Sequence, residues 1–205
     1  MGRGARAVYR VQDCVTIAAG QAGQPANDCI FLFAVYHIVM NNNTLGTKFL
    51  KELEMEAAAS RKCLERIPAD AFDWAPHEKS MKMGRLALIV AEIPRWIYTM
   101  VEDGEINFGT FKHAEAKTAA DLLKEFDEGT ANVKPILEKV SDETLGEEFR
   151  LMMGDKVLMS AAKGEMIGPT INHGVHHRGQ LTVYMRLKNI AVPSIYGPSA
   201  DEGEF

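Results

Sequence analysis

Cysteine is scarce in this sequence: Cys14, Cys29 and Cys63 are the three in 205 residues. Their wide separation provides none of the short Cys-x-x-Cys spacings that bind zinc, and an odd number does not suit a disulfide framework. Disulfides persist mainly in oxidising compartments, so this usage fits a reducing one. We therefore expect a cytoplasmic protein in which Cys63 is a small apolar residue of a helix.

Long basic clusters and long apolar runs are also missing. The net charge is −5, and no basic run is longer than the pair Arg61-Lys62, so nucleic acid is not an expected partner. The apolar run Cys29–Met40 is shorter than the about 20 residues that a membrane-spanning helix needs. Three asparagines follow that run where a signal peptide would have small residues. We expect no membrane partner for the main part of the chain.

The first 39 residues differ from the rest, since they contain arginine but no lysine and show neither the helical nor the strand period. Three explanations stay open: a start codon assigned too early, with Met40 the true beginning; a disordered or loosely docked extension; or a segment that associates with a membrane or directs export. We treat residues 1–39 as an extension or a start-site artefact and predict one domain over residues 40–205.

Downstream of this extension, apolar residues recur at the three- to four-residue spacing of helices in four segments. The predicted helices cover residues 44–66, 83–102, 118–140 and 163–188. Thr44 is expected to cap the first helix, and Thr118 with Asp121 to form a capping box on the third. Pro94 and Pro135 fall inside helices, where proline removes a backbone hydrogen bond and favours a kink.

A long segment separates the third and fourth predicted helices. It begins with a short helical turn over residues 141–148, and Gly154-Asp155 between two apolar runs predicts a small hairpin or an extended crossover. Residues 190–199 read as an extended tail that packs on the helices. Four helices of this length predict an all-α four-helix bundle with a long crossover before the fourth helix. Bundles commonly place ligand and metal sites between facing helices.

Half of the six histidines lie in the predicted fourth helix. His173 and His177 are four residues apart, so on a helix they share one face with Cβ atoms about 5–6 Å apart. Such a pair can offer two imidazoles to one metal ion. The alternative is a set of solvated surface histidines, but Thr170 and Leu181 flank the same face, which is expected to point inward. His176 lies on the flank and is expected to be structural or to support the residues that hold the ligand.

Glu92 and Tyr184 are the candidates for catalysis. An inward Glu92 on the second helix would complete a metal site or act as general base on a metal-bound water. The alternative is an exposed Glu92 paired with Arg95 or Lys82. Tyr184 would donate a hydrogen bond into the site, or it packs and does nothing more. Arg178 is expected in a surface salt bridge.

Two segments carry a resemblance to a known family. NHGVHHRGQLTVYMR at residues 172–186, with VPSIYGPSADE after it, resembles the fourth helix and tail of the DinB-like (damage-inducible, YfiT-like) four-helix bundles. FDWAPHEKSMKMGRLALIVAEIPRW at residues 72–96 is similar to the entry of that family's second helix. The resemblance covers residues 42–202 and implies an up-down-down-up bundle that forms a homodimer.

Many members of that family hold a divalent metal, such as nickel or zinc, with three histidines. The resemblance assigns two of these ligands to His173 and His177 and the third to the second helix, in the pattern G-R-L-A-x-H-[IV]-A-E. This sequence reads GRLALIVAE at residues 84–92, with Ile89 in place of the histidine. Two outcomes stay open: Glu92 completes a site of two histidines and a carboxylate, or the metal site is degenerate.

Relatives in that family include enzymes that use low-molecular-weight thiols such as bacillithiol or mycothiol, in which the metal is thought to activate the thiol as a thiolate. The resemblance therefore implies a divalent-metal-assisted thiol S-transferase, or a related hydrolase, with a degenerate metal site. His173 and His177 would hold the ion, Glu92 would be ligand or base, and Tyr184 would donate a hydrogen bond. The alternative is a non-catalytic dimeric helix bundle that binds a small molecule.

Overall fold

The computed structural model describes residues 44–203, so the predictions for residues 1–39 lie outside the described part. Five α-helices and three β-strands follow one another in this range. They are α1 (Leu45–Leu64), α2 (Met83–Glu102), β1 (Glu105–Asn107), α3 (Ala119–Lys139), α4 (Asp142–Leu145), β2 (Glu148–Met153), β3 (Lys156–Ala162) and α5 (Lys163–Leu187), with a short 3-10 helix at Ala69–Ala71.

Side-chain caps set the helix ends where the sequence predicts them. The Thr44 hydroxyl accepts a hydrogen bond from the Thr47 backbone N–H at 3.3 Å and begins α1. At the start of α3, Thr118 accepts from the Asp121 N–H at 3.2 Å, and the Asp121 carboxylate accepts from the Thr118 N–H at 3.0 Å. This is the predicted capping box, which satisfies two backbone donors that a helix start leaves free. Helix α2 continues through Pro94 to Glu102.

The four long helices run up-down-down-up, as the resemblance implies. Contacts at two levels of three neighbouring helix pairs fix these directions. They are Phe49–Gly168 and Ser60–Arg178 between α1 and α5, Arg61–Asp127 and Glu54–Lys134 between α1 and α3, and Trp74–Tyr184 and Trp96–His173 between the α2 segment and α5. Helix α2 therefore runs antiparallel to α5 and lies beside it, which brings the second-helix candidates next to the histidines.

A three-stranded sheet with the order β1-β2-β3 covers one end of the bundle. The predicted hairpin is present: β2 and β3 pair antiparallel and turn at Gly154, whose φ of 58° is favourable for glycine. Strand β1 corrects the sequence analysis, which assigned no structure after α2. It pairs parallel with β2, with Ile106 beside Leu151. Three residues are too short to show a strand period, and their partner lies more than 40 residues away.

The sheet packs its inner face on the bundle core. Ile106 of β1 and Phe149 of β2 are buried in one cluster with Ile97 of α2 and Ile167 of α5. Helices α2 and α5 and the sheet together form the wall of the pocket that adjoins His173. Within residues 44–203, no helix is both long and apolar enough to cross a membrane.

Candidate functional site beside the histidine pair

Helix α5 brings His173 and His177 together, as their four-residue spacing predicts. Their Nε2 atoms lie 2.8 Å apart and the ring centroids 4.5 Å apart. His177 is buried, with 8% of its surface exposed, and His173 is the more exposed of the two. The pair therefore forms one unit in which the two imidazoles share a hydrogen bond.

Gln180, which the sequence analysis did not select, orients this pair. Its side-chain oxygen Oε1 lies 2.8 Å from His177 Nδ1. An amide oxygen only accepts, so with the Gln180 amide in this orientation His177 carries its proton on Nδ1 and its Nε2 accepts from His173 Nε2–H. In the neutral pair, His173 Nδ1 is then left with a free lone pair. The three-residue spacing of His177 and Gln180 on one helix was the signal for this contact.

Ile89 is buried on the face of α2 that meets α5. Seven residues later on that helix, Trp96 has its ring 5.6 Å from His173, and Ile93 between them packs on Gly174. Since α2 and α5 are antiparallel, Ile89 lies toward the His177 side of the pair. Its side chain has no lone pair to offer a metal ion.

Glu92 is fully buried, and both of its carboxylate oxygens are in use. Oε2 lies 2.7 Å from His113 Nδ1, and Oε1 accepts from Arg95 Nη2 and from the Ala114 backbone N–H, each at 2.8 Å. The predicted alternative pairing with Arg95 is present, but Glu92 is not exposed. Lys82 pairs instead with Asp73. Glu92 thus serves a polar network on the flank of α2.

This network holds the loop between β1 and α3 on the second helix. Arg95 also donates to Glu125 of α3 and to the Lys112 backbone oxygen. The Arg95 guanidinium lies 4.8 Å above the ring centre of Phe111, and Phe111 meets Trp96 edge-on at 6.2 Å. Contacts therefore run continuously from Glu92 through the loop to Trp96, the residue beside His173.

Tyr184 lies on the same helix as the histidine pair but seven residues beyond His177, about 10 Å along the axis. Its ring packs edge-on against Trp74, with centroids 5.7 Å apart. The structure brings Tyr184 to the start of the α2 segment and not to the two imidazoles. Its role as a hydrogen-bond donor to the site stays a prediction.

The donor set around the pair does not fit a three-ligand divalent ion. Among residues 44–203, no group of three or more His, Cys, Asp or Glu side chains could hold a metal ion. Glu92 is occupied by three donors. Cys63 is buried, and burial raises the pKa of its thiol to about 11, so it is not a thiolate at neutral pH. Two imidazoles remain, whereas catalytic zinc sites usually have three protein ligands.

A pocket of about 250 Å³ adjoins His173. Apolar side chains from α2, α5 and the sheet form most of its wall, among them Met100, Ile106, Phe149, Leu151, Met159 and Met166. Its polar wall residues are Trp96, Thr170 and His173, and no charged side chain lines it. A larger groove of about 630 Å³ lies at another surface of the bundle, but it is open and contains no histidine. The smaller pocket is therefore the better candidate for a ligand.

We expect the free energy of unfolding to fall as the pH drops below about 6.5, partly because His173 takes up a proton more readily in the unfolded chain. Burial of the ring and the facing His177 and His176 lower the pKa of His173 below its ordinary 6.5. The unfolded chain then takes up more protons than the folded one, so stability is lost until the pH lies beneath the folded-state pKa. Denaturant unfolding with chelator at pH about 7.5 and 5.5 should show a smaller loss in His173→Gln than in the original protein. Equal losses of unfolding free energy in the two proteins would contradict the assignment of this pH dependence to His173.

Comparison with known proteins shows matches along most of the chain. A family model described as "DinB family" matches residues 40–204. The uncharacterised protein YrdA of Bacillus subtilis (strain 168) is 28% identical over 163 residues, which cover 75% of this chain and 89% of YrdA. The uncharacterised protein YjoA of the same organism is 27% identical over 124 residues, which cover 60% of this chain and 77% of YjoA.

Solved structures show the same fold. The crystal structure of the DinB-like protein YjoA from Bacillus subtilis superposes with a TM-score of 0.56 at 20% identity, covering 72% of this chain and 96% of YjoA. A DinB-like protein from Bacillus cereus gives a TM-score of 0.56 at 22% identity, covering 72% of this chain and 95% of its own. At these identities the likeness is one of architecture.

Proposed function

We propose that this chain, which belongs to the DinB family, binds a small molecule beside His173 and His177 without a three-ligand metal ion. The observation that carries the proposal is the apolar pocket of about 250 Å³ that has His173 in its wall. Ligand sites are mostly apolar cavities with a few placed polar groups, and this pocket has that composition. Ile89 and the engaged Glu92 support the absence of a third metal ligand.

In this proposal the histidine pair serves as a neutral hydrogen-bonding group. Gln180 fixes the proton of His177, and that fixes the proton of His173. The lowered pKa of His173 favours its neutral form at pH 7. A neutral imidazole with a free Nδ1 lone pair can accept a hydrogen bond from a bound molecule or accept a proton from it.

The second candidate is the metal-assisted enzyme that the resemblance implies: a thiol S-transferase or related hydrolase with a low-molecular-weight thiol as co-substrate. Two features favour this candidate. The Nε2 atoms of His173 and His177 lie 2.8 Å apart, and the side-chain oxygen of Gln180 lies beside the other ring nitrogen of His177, Nδ1. Histidine ligands commonly donate their other N–H to such an acceptor. His173 and His177 would hold the ion, nickel or zinc, and a bound ion would supply Lewis-acid activation of the thiol.

Assembly and location belong to the same proposal. A homodimer rests on the family resemblance, because a helix face of this length can pair with its own copy. A cytoplasmic location rests on the cysteine usage described above. Both candidate functions are compatible with them, so neither feature separates binding from catalysis.

Metal content separates the two candidates. We expect the original protein, dialysed without chelator, to carry far less than one zinc or nickel ion per chain. Ile89→His should restore the third ligand and raise the affinity at least about tenfold, which corresponds to about 1.4 kcal/mol. Ile89→Leu is the matched control, because it changes the shape of the side chain without adding a ligand. Elemental analysis and zinc titration measure both.

The opposite result would favour the enzyme. Stoichiometric metal in the original protein that disappears in His173→Ala would overturn the metal-free proposal and justify thiol-transfer assays. A further variant, Glu92→Gln, should leave the metal content of Ile89→His unchanged, since Glu92 is already bound by Arg95 and His113.

A further inference from the structure

The side chains around the pocket beside His173 offer acceptors for hydrogen bonds but no accessible donor. The described residues that line it include no lysine, arginine, aspartate or glutamate. Trp96 Nε1 is buried away from solvent and has no hydrogen-bond partner among the described residues, so Trp96 offers no donor to a molecule in the pocket. The Thr170 hydroxyl gives its hydrogen to the Met166 backbone oxygen at 2.8 Å and keeps only lone pairs.

The ring of His173 directs its second nitrogen, Nδ1, toward this pocket. Its Nε2 lies 2.8 Å from the Nε2 of His177, which follows one helical turn later on α5. In an imidazole ring, Nε2 stands opposite the bond between Cγ and Nδ1, so Nδ1 lies at the ring edge that faces away from His177. The α5 residues that line the pocket, Met166, Pro169 and Thr170, precede His173 and lie on that side.

The protons of the histidine pair make this nitrogen an acceptor. With the Gln180 amide in the orientation described above, His177 holds its proton on Nδ1 and His173 holds its own on Nε2. His173 Nδ1 then carries a lone pair that points to the pocket. Because Gln180 and His177 fix this arrangement before a ligand arrives, binding a donor there costs less entropy. The donor is the one group that a ligand has to supply.

The volume limits the size of this ligand. The pocket of about 250 Å³ is larger than the about 150 Å³ cavity that holds benzene in an engineered protein and smaller than the about 300–1,000 Å³ of sites for drug-sized molecules. Met100, Met159 and Met166 line it with flexible side chains that adapt to different apolar shapes. A substituted benzene ring is therefore of the right size.

We infer that this pocket binds a small uncharged molecule with an apolar body and one hydroxyl group, whose O–H donates to His173 Nδ1. A charged group would lose its hydration there without gaining a counter-charge. The inference rests on the proposed function and names the ligand class of the same site. It also bears on the second candidate: an ion held by the two Nε2 atoms would leave the proton of His173 on Nδ1, which would then donate, and the preference for a hydroxyl would be lost.

Three probes of nearly the same shape test the inference, with chelator present throughout. p-Cresol carries a hydroxyl group, p-xylene has a methyl group in its place, and p-toluate has a carboxylate. We expect both neutral probes to bind, and p-toluate to bind more weakly than either. Calorimetric titration measures the affinities. The 15N signal of His173 Nδ1 should shift far more with p-cresol than with p-xylene.

A pair of histidine variants assigns the effect to one nitrogen. His173→Phe keeps an aromatic ring but no acceptor, so the hydroxyl of bound p-cresol would be left unpaired. The ratio of p-cresol affinity to p-xylene affinity should therefore fall at least about tenfold. Taking the ratio within each protein cancels the effect that the substitution has on both probes. His77→Phe, at an exposed histidine of the loop before α2, is the control and should leave the ratio unchanged.

The outcomes separate this inference from the proposed function. An unchanged ratio in His173→Phe overturns the assignment to His173 but leaves the pocket as a small-molecule site. Tighter binding of p-toluate than of p-cresol overturns the uncharged ligand class. If His173→Phe does not fold, the 15N signal in the original protein decides, and no shift with p-cresol overturns the inference. No binding of any probe at millimolar concentration overturns the pocket itself, and with it the small-molecule part of the proposed function.

Discussion

Glu92→Ala should lower the free energy of unfolding by about 3 kcal/mol, because it removes a fully buried carboxylate from a charged network. Arg95 Nη2, His113 and the Ala114 N–H would each lose their acceptor. Breaking a buried ion pair from one side costs about 3–5 kcal/mol. Since Arg95 is 31% and His113 35% exposed, water can replace part of the lost interaction, which favours the lower end. Denaturant unfolding measures the change.

Two further variants serve as controls for Glu92→Ala. Glu92→Gln keeps the shape and removes the charge, so it should lose less than Glu92→Ala. Lys82→Ala breaks the exposed pair with Asp73 and should lower the free energy of unfolding far less than Glu92→Ala. If Glu92→Gln left stability unchanged but abolished metal binding in the original protein, Glu92 would be a ligand or base rather than the residue that positions the loop.

The loop between β1 and α3 is expected to loosen in the same variant. Its attachment to α2 depends on the Ala114 N–H and the His113 ring, both of which meet Glu92. Phe108, near the start of that loop, lines the pocket, and Phe111 supports Trp96. Hydrogen exchange of the loop amides, and not only global stability, should therefore rise in Glu92→Ala.

Local signals explain why the helices were predictable. The ends of α2 fall at Met83 and Glu102, where the sequence places them, and the Thr118 capping box begins α3. Each of these features depends on residues within one or two helical turns. His173 and His177 were found for the same reason, since their spacing on one helix fixes their contact.

Long-range contacts explain what the sequence did not reveal. Strand β1 exists because Ile106 pairs beside Leu151 of a distant strand. Glu92 is buried because His113, in a loop 21 residues away, reaches its carboxylate. The apolar pocket requires the hairpin to pack beside α2 and α5. None of these arrangements has a period or a spacing that a single sequence displays.

Arg178 shows the same limit, and its replacement should have the largest effect on stability. The sequence predicts a surface salt bridge for Arg178, but its side chain is buried, with 1% exposed. Its guanidinium donates to the Glu56 carboxylate at 2.6 Å, to the Glu56 backbone oxygen at 2.9 Å and to the Tyr196 hydroxyl at 2.8 Å. We expect Arg178→Ala to cost about 3–5 kcal/mol, because Glu56, 15% exposed, would keep its charge with no cation beside it and only the Tyr196 hydroxyl donating to it.

A control variant and a compensating second substitution test this explanation. Arg186→Ala, in the same helix but paired at the surface with Asp201, should lower the free energy of unfolding far less than Arg178→Ala. Adding Glu56→Gln to Arg178→Ala should recover part of the loss, since the unpaired buried charge is then gone. A loss below about 1 kcal/mol for Arg178→Ala would mean that water reaches Glu56. Arg178 directly follows His177, so the ion pair that ties α5 to α1 should also fix the position of the histidine pair.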